Sequence, residues 1–140
     1  MIANSPIQKS LRKVALDAGK PIIVFEGGES LRYDGFSIEK GLAGLKRVMY
    51  AKGLIETKET RDASISFSKT SWLRASKAGM FRWSKPSGHR VYKGEPLGVI
   101  NDPYGQKEVY VIAPRDGYIV GHNNAPVVSL GDALFNIGFA

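Results

Sequence analysis

Apolar positions in the first half of the chain twice recur at helical spacing, with one unbroken apolar run between them. Ser5-Pro6 makes a helix start, a capping hydroxyl followed by proline at the first helical position. Ile7, Leu11, Val14, Ala15 and Ala18 follow with the period of one helix face, and Gly19 is placed to end it. Pro21-Ile22-Ile23-Val24-Phe25-Glu26 puts apolar side chains on both faces of an extended segment, as in a parallel strand buried on two sides. It stops at Glu26-Gly27-Gly28-Glu29. A polar loop containing Arg32 and Asp34 leads to a second predicted helix beginning near Ser37. Its stripe is Ile38, Leu42, Leu45, Val48 and Met49, and Gly53 closes it. A lone strand between two helices leaves both its edges unpaired, so the pattern predicts neighbouring strands in sequence outside this chain.

Residues 54–63 form a charged connector with Glu56, Lys58, Glu59, Arg61 and Asp62. Beyond it the period shortens to β-type runs punctuated by glycine and proline. Strands are predicted over 65–67, 72–75, 80–83, 97–101, 108–113, 118–120, 127–129 and 133–137, a spacing that suits a small barrel or sandwich. An internal repeat lies here. Val91-Tyr92-Lys93-Gly94-Glu95-Pro96-Leu97-Gly98-Val99-Ile100 and Val128-Ser129-Leu130-Gly131-Asp132-Ala133-Leu134-Phe135-Asn136-Ile137 both read Val-x-x-Gly-acid-x-Leu-x-x-Ile. Gly79-Met80-Phe81 precedes one copy and Gly117-Tyr118-Ile119 the other. Each Gly-acid pair predicts a tight turn with a positive φ at the glycine. Two copies predict a pseudo-symmetric β-sandwich. The resulting organisation is an α/β segment at 1–55, a linker at 56–63 and a β domain at 64–140.

Composition narrows the classes. Hydrophobic residues are 43% of the 140 and charged residues 24%, a globular balance with no apolar run long enough to span a bilayer. The first residues carry no signal-peptide pattern, and the cytoplasm is the expected location. The absence of cysteine excludes disulfides and thiolate metal sites. The net charge of +7 suits nucleic acid, acidic lipid or an anionic substrate.

Two family resemblances follow from these motifs. The repeat resembles the biotinyl/lipoyl carrier fold, a barrel-sandwich hybrid. The region where a carrier would hold its modified lysine reads Asn101-Asp102-Pro103-Tyr104-Gly105-Gln106-Lys107-Glu108, and the flanks of Lys107 do not match a carrier motif. The wider resemblance covers nearly the whole chain. Ser10-Leu11-Arg12, Gly19-Lys20-Pro21, the strand closing on Glu26-Gly27-Gly28, the stop between Val48 and Gly53, Trp72-Leu73-Arg74-Ala75, the Val-x-x-Gly repeat, Asp102-Pro103-Tyr104-Gly105 and Ala113-Pro114-Arg115-Asp116-Gly117 occur in one order. That order is similar to the C-terminal part of succinylglutamate desuccinylase/aspartoacylase family proteins. The resemblance implies an α+β chain, in which a helix-strand-helix remnant of a zinc-carboxypeptidase-like domain precedes a small β domain. It implies a zinc-dependent hydrolase acting on the amide bond of an N-acyl amino acid, with homo-oligomers a further expectation. Phe25-Glu26-Gly27-Gly28-Glu29-Ser30 departs from the commoner Glu-x-Gly followed by apolar or polar residues, which leaves the acyl group open.

In such chemistry a carboxylate takes a proton from the attacking water, and a cation holds the substrate carboxylate. Glu26, at the carboxyl end of the predicted strand, matches the family's general base, with Gly27 and Gly28 removing bulk beside it. Arg12 matches the substrate-binding arginine. Glu29, Arg32 and Tyr33 rank below these two. The family's zinc ligands, a His-x-x-Glu pair and a later histidine, are expected upstream of this chain. His89 and His122 lack a helical partner at ligand spacing and read as loop histidines. No catalytic zinc is therefore expected in this chain by itself, and no activity. The competing class is a binding module. Lys69, Arg74, Lys77, Arg82, Lys85, Arg90 and Lys93 interleave with Trp72, Phe81, Trp83 and Tyr92, a pattern able to take single-stranded nucleic acid. Alternation, with the aromatic side chains in the core and the cations in water, is the reading preferred to it.

Overall fold

The computed structural model describes residues 6–56, 60 and 63–139. It is α+β, with two helices and two antiparallel four-stranded sheets. The chain divides into two compact units that meet between residues 63 and 64. No helix of the described residues is long and apolar enough to cross a membrane.

In the first unit, helix α1 spans Leu11–Asp17. Its cap is Ser10, whose hydroxyl accepts from the Lys13 N–H at 3.2 Å. The expected start at Ser5-Pro6 is thus corrected by a turn and a half, and Ser5 itself lies outside the described residues. The end is as expected: Gly19 adopts φ +65, its N–H reaches Leu16 O at 3.0 Å and the Lys20 N–H reaches Ala15 O at 2.8 Å, a Schellman stop. Helix α2 spans Gly35–Ala51, two residues earlier than expected, because Asp34 caps it through the Ser37 N–H at 3.2 Å. Gly53 and Leu54 end it with the same pair of bonds, to Tyr50 O and Met49 O, both at 2.9 Å.

The strand expected over 21–26 is absent. These residues pair with no strand among the described residues. Ile23 is 80% exposed and Phe25 61%. The physical reason is that a strand needs a ladder partner for its N–H and C=O groups, and two helices offer none. Neither helix contains a buried residue.

The second unit contains every buried side chain of the described residues. Its strands are β1 Lys69–Arg74, β2 Gly79–Trp83, β3 Arg90–Val91, β4 Pro96–Asn101, β5 Glu108–Ile112, β6 Gly117–His122, β7 Val127–Val128 and β8 Ala133–Phe139. The expected strand at 65–67 reduces to one bridge residue, Phe67, and β3 was not foreseen. One sheet runs β1-β8-β6-β3 and the other β5-β4-β2-β7. The second order is the first with each strand replaced by its counterpart in the other repeat copy, so each sheet takes two strands from each copy, with β8 and β6 or β4 and β2 at its centre.

The duplication extends to single bonds. Gly94 and Gly131 have φ +85 and +89. The Glu95 carboxylate accepts from the Tyr92 N–H at 2.9 Å, and the Asp132 carboxylate from the Ser129 N–H at 2.7 Å. The Gly94 N–H reaches Ala113 O and the Gly131 N–H reaches Ala75 O, both at 2.8 Å. Leu97, Ile100, Ile119, Leu134, Phe135 and Ile137, drawn from both sheets, fill one core, where the rings of Phe81 and Phe135 meet edge to face at 5.8 Å.

Candidate functional site

Glu26 ends the irregular segment 21–26 just before the bend at Gly28, and its side chain is exposed. Both glycines have local reasons. A Cβ on Gly27 would stand 2.9 Å from the Phe25 ring and 3.1 Å from Ser37 Cβ. Gly28 has φ +78, and a Cβ there would stand 3.1 Å from Asp34 Cβ. The turn is therefore pressed against the first turn of α2, and this accounts for the missing side chains without a substrate. Glu29 and Arg32 form an ion pair across a single antiparallel bridge. Tyr33 beyond them is 96% exposed.

A shallow concavity of ≈ 190 Å³ lies against this turn, lined by Phe25, Gly28, Glu29, Arg32, Tyr33 and Asp34 among others. It brings together the three lower-ranked residues, Glu29, Arg32 and Tyr33. Glu26 and Arg12 are not among its lining residues. Arg12 lies in the first turn of α1, half-buried. Among the described residues, no three His, Cys, Asp or Glu side chains converge as a metal site would require.

The histidines divide. His89 is exposed in the loop before β3, as expected. His122 is not a loop residue but the last residue of β6. Its ring stacks on Trp83 at 4.3 Å and lies 6.2 Å from the Phe135 ring. The expected burial of the interleaved aromatics is corrected as well. Phe81 is in the core, but Trp72 is 48% exposed, Trp83 40% and Tyr92 53%. Trp72 and Trp83 face away from the core or to its rim in β1 and β2, and Tyr92 lies in the turn after β3. Lys107 lies in the β4–β5 hairpin, exposed, with its carbonyl accepting from the Asp102 N–H at 3.1 Å.

Two carboxylates in the β unit are perturbed. Glu95 is held below the usual glutamate range by its ion pair with Lys85 and then by the Tyr92 N–H, against the opposing effect of burial. For Asp102 burial is the largest influence and raises the pKa. The N–H groups of Tyr104, Gln106 and Lys107, with the charge of Lys77, together outweigh it and leave a net lowering. Both groups sit at turns, and their chemistry is that of fastening backbone. Glu95 lay within the repeat motif and so was visible in the sequence as a turn residue. The role of Asp102 was signalled only by the Asp-Pro-Tyr-Gly turn.

No protein-family model matches the chain, and no curated protein does. Solved structures do. The product-bound ectoine utilization protein EutE (DoeB) from Ruegeria pomeroyi aligns with 93% of this chain and 41% of its own, at a TM-score of 0.80 and 19% identity. A succinylglutamate desuccinylase from a Silicibacter species aligns with 99% of this chain and 44% of its own, at a TM-score of 0.81 and 18% identity. A succinylglutamate desuccinylase/aspartoacylase family protein from Shewanella amazonensis aligns with 91% of this chain and 39% of its own, at a TM-score of 0.67 and 20% identity. The chain thus has the fold of part of these proteins and spans less than half the length of each.

Proposed function

We propose that this chain is the C-terminal part of a succinylglutamate desuccinylase/aspartoacylase-type hydrolase, cleaving the amide bond of an N-acyl amino acid in the cytoplasm. The observation that carries this reading is the fold match over 99% of the chain to a desuccinylase. The order of motifs in the sequence supports it independently. In this reading residues 64–139 are a barrel-sandwich hybrid accessory domain, and residues 1–55 complete a zinc-carboxypeptidase-like α/β domain.

The described residues do not fit a zinc site. His122 packs on the Trp83 ring and near that of Phe135, His89 is in a loop, and among the described residues no carboxylate cluster joins either. The metal and its ligands are therefore assigned to sequence outside the 140 residues. What this chain supplies is Glu26, the carboxylate that takes a proton from the attacking water, and Arg12, the cation for the substrate carboxylate. Exposure of Glu26 suits a group whose partners come from elsewhere, since a base must lie within hydrogen-bond reach of the proton it removes.

The test is metal analysis and hydrolysis of N-acyl amino acids, made on this chain and on a polypeptide that also carries the sequence preceding Met1. The isolated chain should hold no stoichiometric zinc and hydrolyse nothing. In the longer polypeptide Glu26→Gln should lower kcat by roughly 10²- to 10⁴-fold with zinc still bound. A chelator-sensitive zinc in the isolated chain, or a fully active Glu26→Gln, refutes the reading.

A further inference from the structure

Glu26 is flanked by residues whose contacts aim the backbone between them. The Phe25 ring lies against two glycines. One is Gly27, where an added Cβ would stand 2.9 Å from Phe25 Cζ. The other is Gly41 in α2, where it would stand 2.9 Å from Phe25 Cε1, 3.2 Å from Cδ1 and 3.4 Å from Cζ. Ser37 lies four residues before Gly41 and so on the same face of the helix. A Cβ on Gly27 would stand 3.1 Å from the Ser37 Cβ and 3.2 Å from its Oγ. Ser37 is itself fastened: the Asp34 carboxylate accepts from its N–H at 3.2 Å and from its hydroxyl at 3.1 Å. Gly28 closes on the same cap, its added Cβ 3.1 Å from Asp34 Cβ. Phe25, Gly27 and Gly28 thus all rest on the first two turns of α2, with Glu26 between them.

The need for glycine at 41 is specific to this contact. Glycine is a poor helix former, and the other glycines of α2 have no such neighbour. An added Cβ meets nothing within 4 Å at Gly35, and at Gly44 it meets Arg47 Nη2 at an ordinary 3.7 Å. At Gly41 the outcome differs. Carbon atoms in contact ordinarily stand about 3.5–4.0 Å apart, so a methyl there would drive the ring away by roughly 0.6–1.1 Å. That ring belongs to the residue before Glu26 and lies against the residue after it. A base must lie within hydrogen-bond reach of the proton it takes, and a misplacement of about 1 Å costs about 10²-fold in rate.

We propose that Phe25 is a positioning residue for Glu26, its ring seated on Gly41 so that α2 sets the direction in which the carboxylate leaves the apolar segment. The proposal rests on the reading of Glu26 as the base. The test uses the polypeptide that also carries the sequence preceding Met1, with N-succinylglutamate and N-acetylaspartate as probes. Gly41→Ala should lower kcat by roughly 10- to 10²-fold with zinc still stoichiometric and KM within about twofold of the parent. Gly44→Ala, the same exchange three residues along the same helix, should leave kcat unchanged. Phe25→Leu shortens the side chain and should lower kcat less. The double variant Phe25→Leu/Gly41→Ala should be no slower than Phe25→Leu alone, since the methyl then meets no ring. A merely structural seat would lose zinc or raise KM along with kcat, and that result overturns the proposal. So do losses that simply multiply in the double variant. A Gly41→Ala with unchanged kcat, beside an impaired Glu26→Gln, overturns the positioning and leaves Glu26 as the base. A fully active Glu26→Gln, or no turnover of either probe, ends the hydrolase reading and this proposal with it.

Discussion

The glycines of the two repeat turns give a quantitative check on the duplicated architecture. Gly94 and Gly131 have φ +85 and +89, and a Cβ added at either meets nothing within 4 Å. Replacing either by alanine therefore adds no collision. What remains is the left-handed backbone, worth roughly 1–2 kcal/mol for an L-residue, offset in part by roughly 0.4–1 kcal/mol of reduced freedom in the unfolded chain. The net expectation is about 1 kcal/mol of destabilisation at each site, or roughly 4–8 °C in Tm for a domain of this size. Because the hydrogen bonds around the two turns match, the two costs should be nearly equal. Gly79→Ala should cost more than either, since its Cβ would stand 2.4 Å from the carbonyl oxygen of Asn101. Tryptophan fluorescence during thermal unfolding reads the right unit, because both tryptophans, Trp72 and Trp83, belong to it. The reasoning is refuted if Gly94→Ala and Gly131→Ala differ more than about twofold in cost, or if either raises Tm.

Further outcomes follow from the same structure. Ile137→Ala, at a fully buried core position, should destabilise the β unit by roughly 2–5 kcal/mol in urea unfolding. Acid should weaken this unit: the Glu95 pKa is lower folded than unfolded, so its contribution is present above the ordinary glutamate pKa and is lost as pH falls through the depressed one. Glu95→Gln should flatten that part of the pH–stability curve, measured as Tm across the acid range. Residues 64–139 alone should keep a cooperative melt, whereas residues 6–56 alone should show little helix by circular dichroism, having no buried side chain to hold the two helices.

How legible the fold was in the sequence depended on whether the physics was local. The C-terminal helix ends were readable because Gly19 and Gly53 act on bonds within a few residues; the starts were not, since the caps Ser10 and Asp34 stand among other polar residues able to cap. The repeat was readable because Gly94-Glu95 and Gly131-Asp132 build the same turn twice. The sheet to which β3 and β7 belong was not, since two-residue strands carry no alternation of their own. The exposure of Trp83 was not either, because its cover, His122, comes from a strand far along the chain. For the candidate site, Glu26 stood out through its position at the end of an apolar run, but nothing local fixes its surroundings. Glu29 and Arg32 looked like loop residues until the bridge between them appeared.

The two units pose opposite physical problems, and the difference bears on Glu26. The β unit has a closed core of its own. The helical unit has Leu11, Val14, Val24, Phe36, Leu42 and Leu45 between 51% and 77% exposed, a density of apolar surface that water does not tolerate on a stable domain. The continuous apolar run Ile22–Phe25, paired with no strand among the described residues, has the composition of a strand flanked by neighbours on each side. Adding those neighbours would convert residues 21–26 into an interior strand and fix the direction in which the chain leaves it. Since Glu26 is the residue at which it leaves, its orientation is decided by that pairing and not by the turn alone. Hydrogen exchange on the longer polypeptide and on this chain measures this directly. The amides of residues 22–25 should be protected in the longer form and exchange freely here. Equal exchange in both would show that the segment never enters a sheet, and would remove the structural basis for Glu26 as the base.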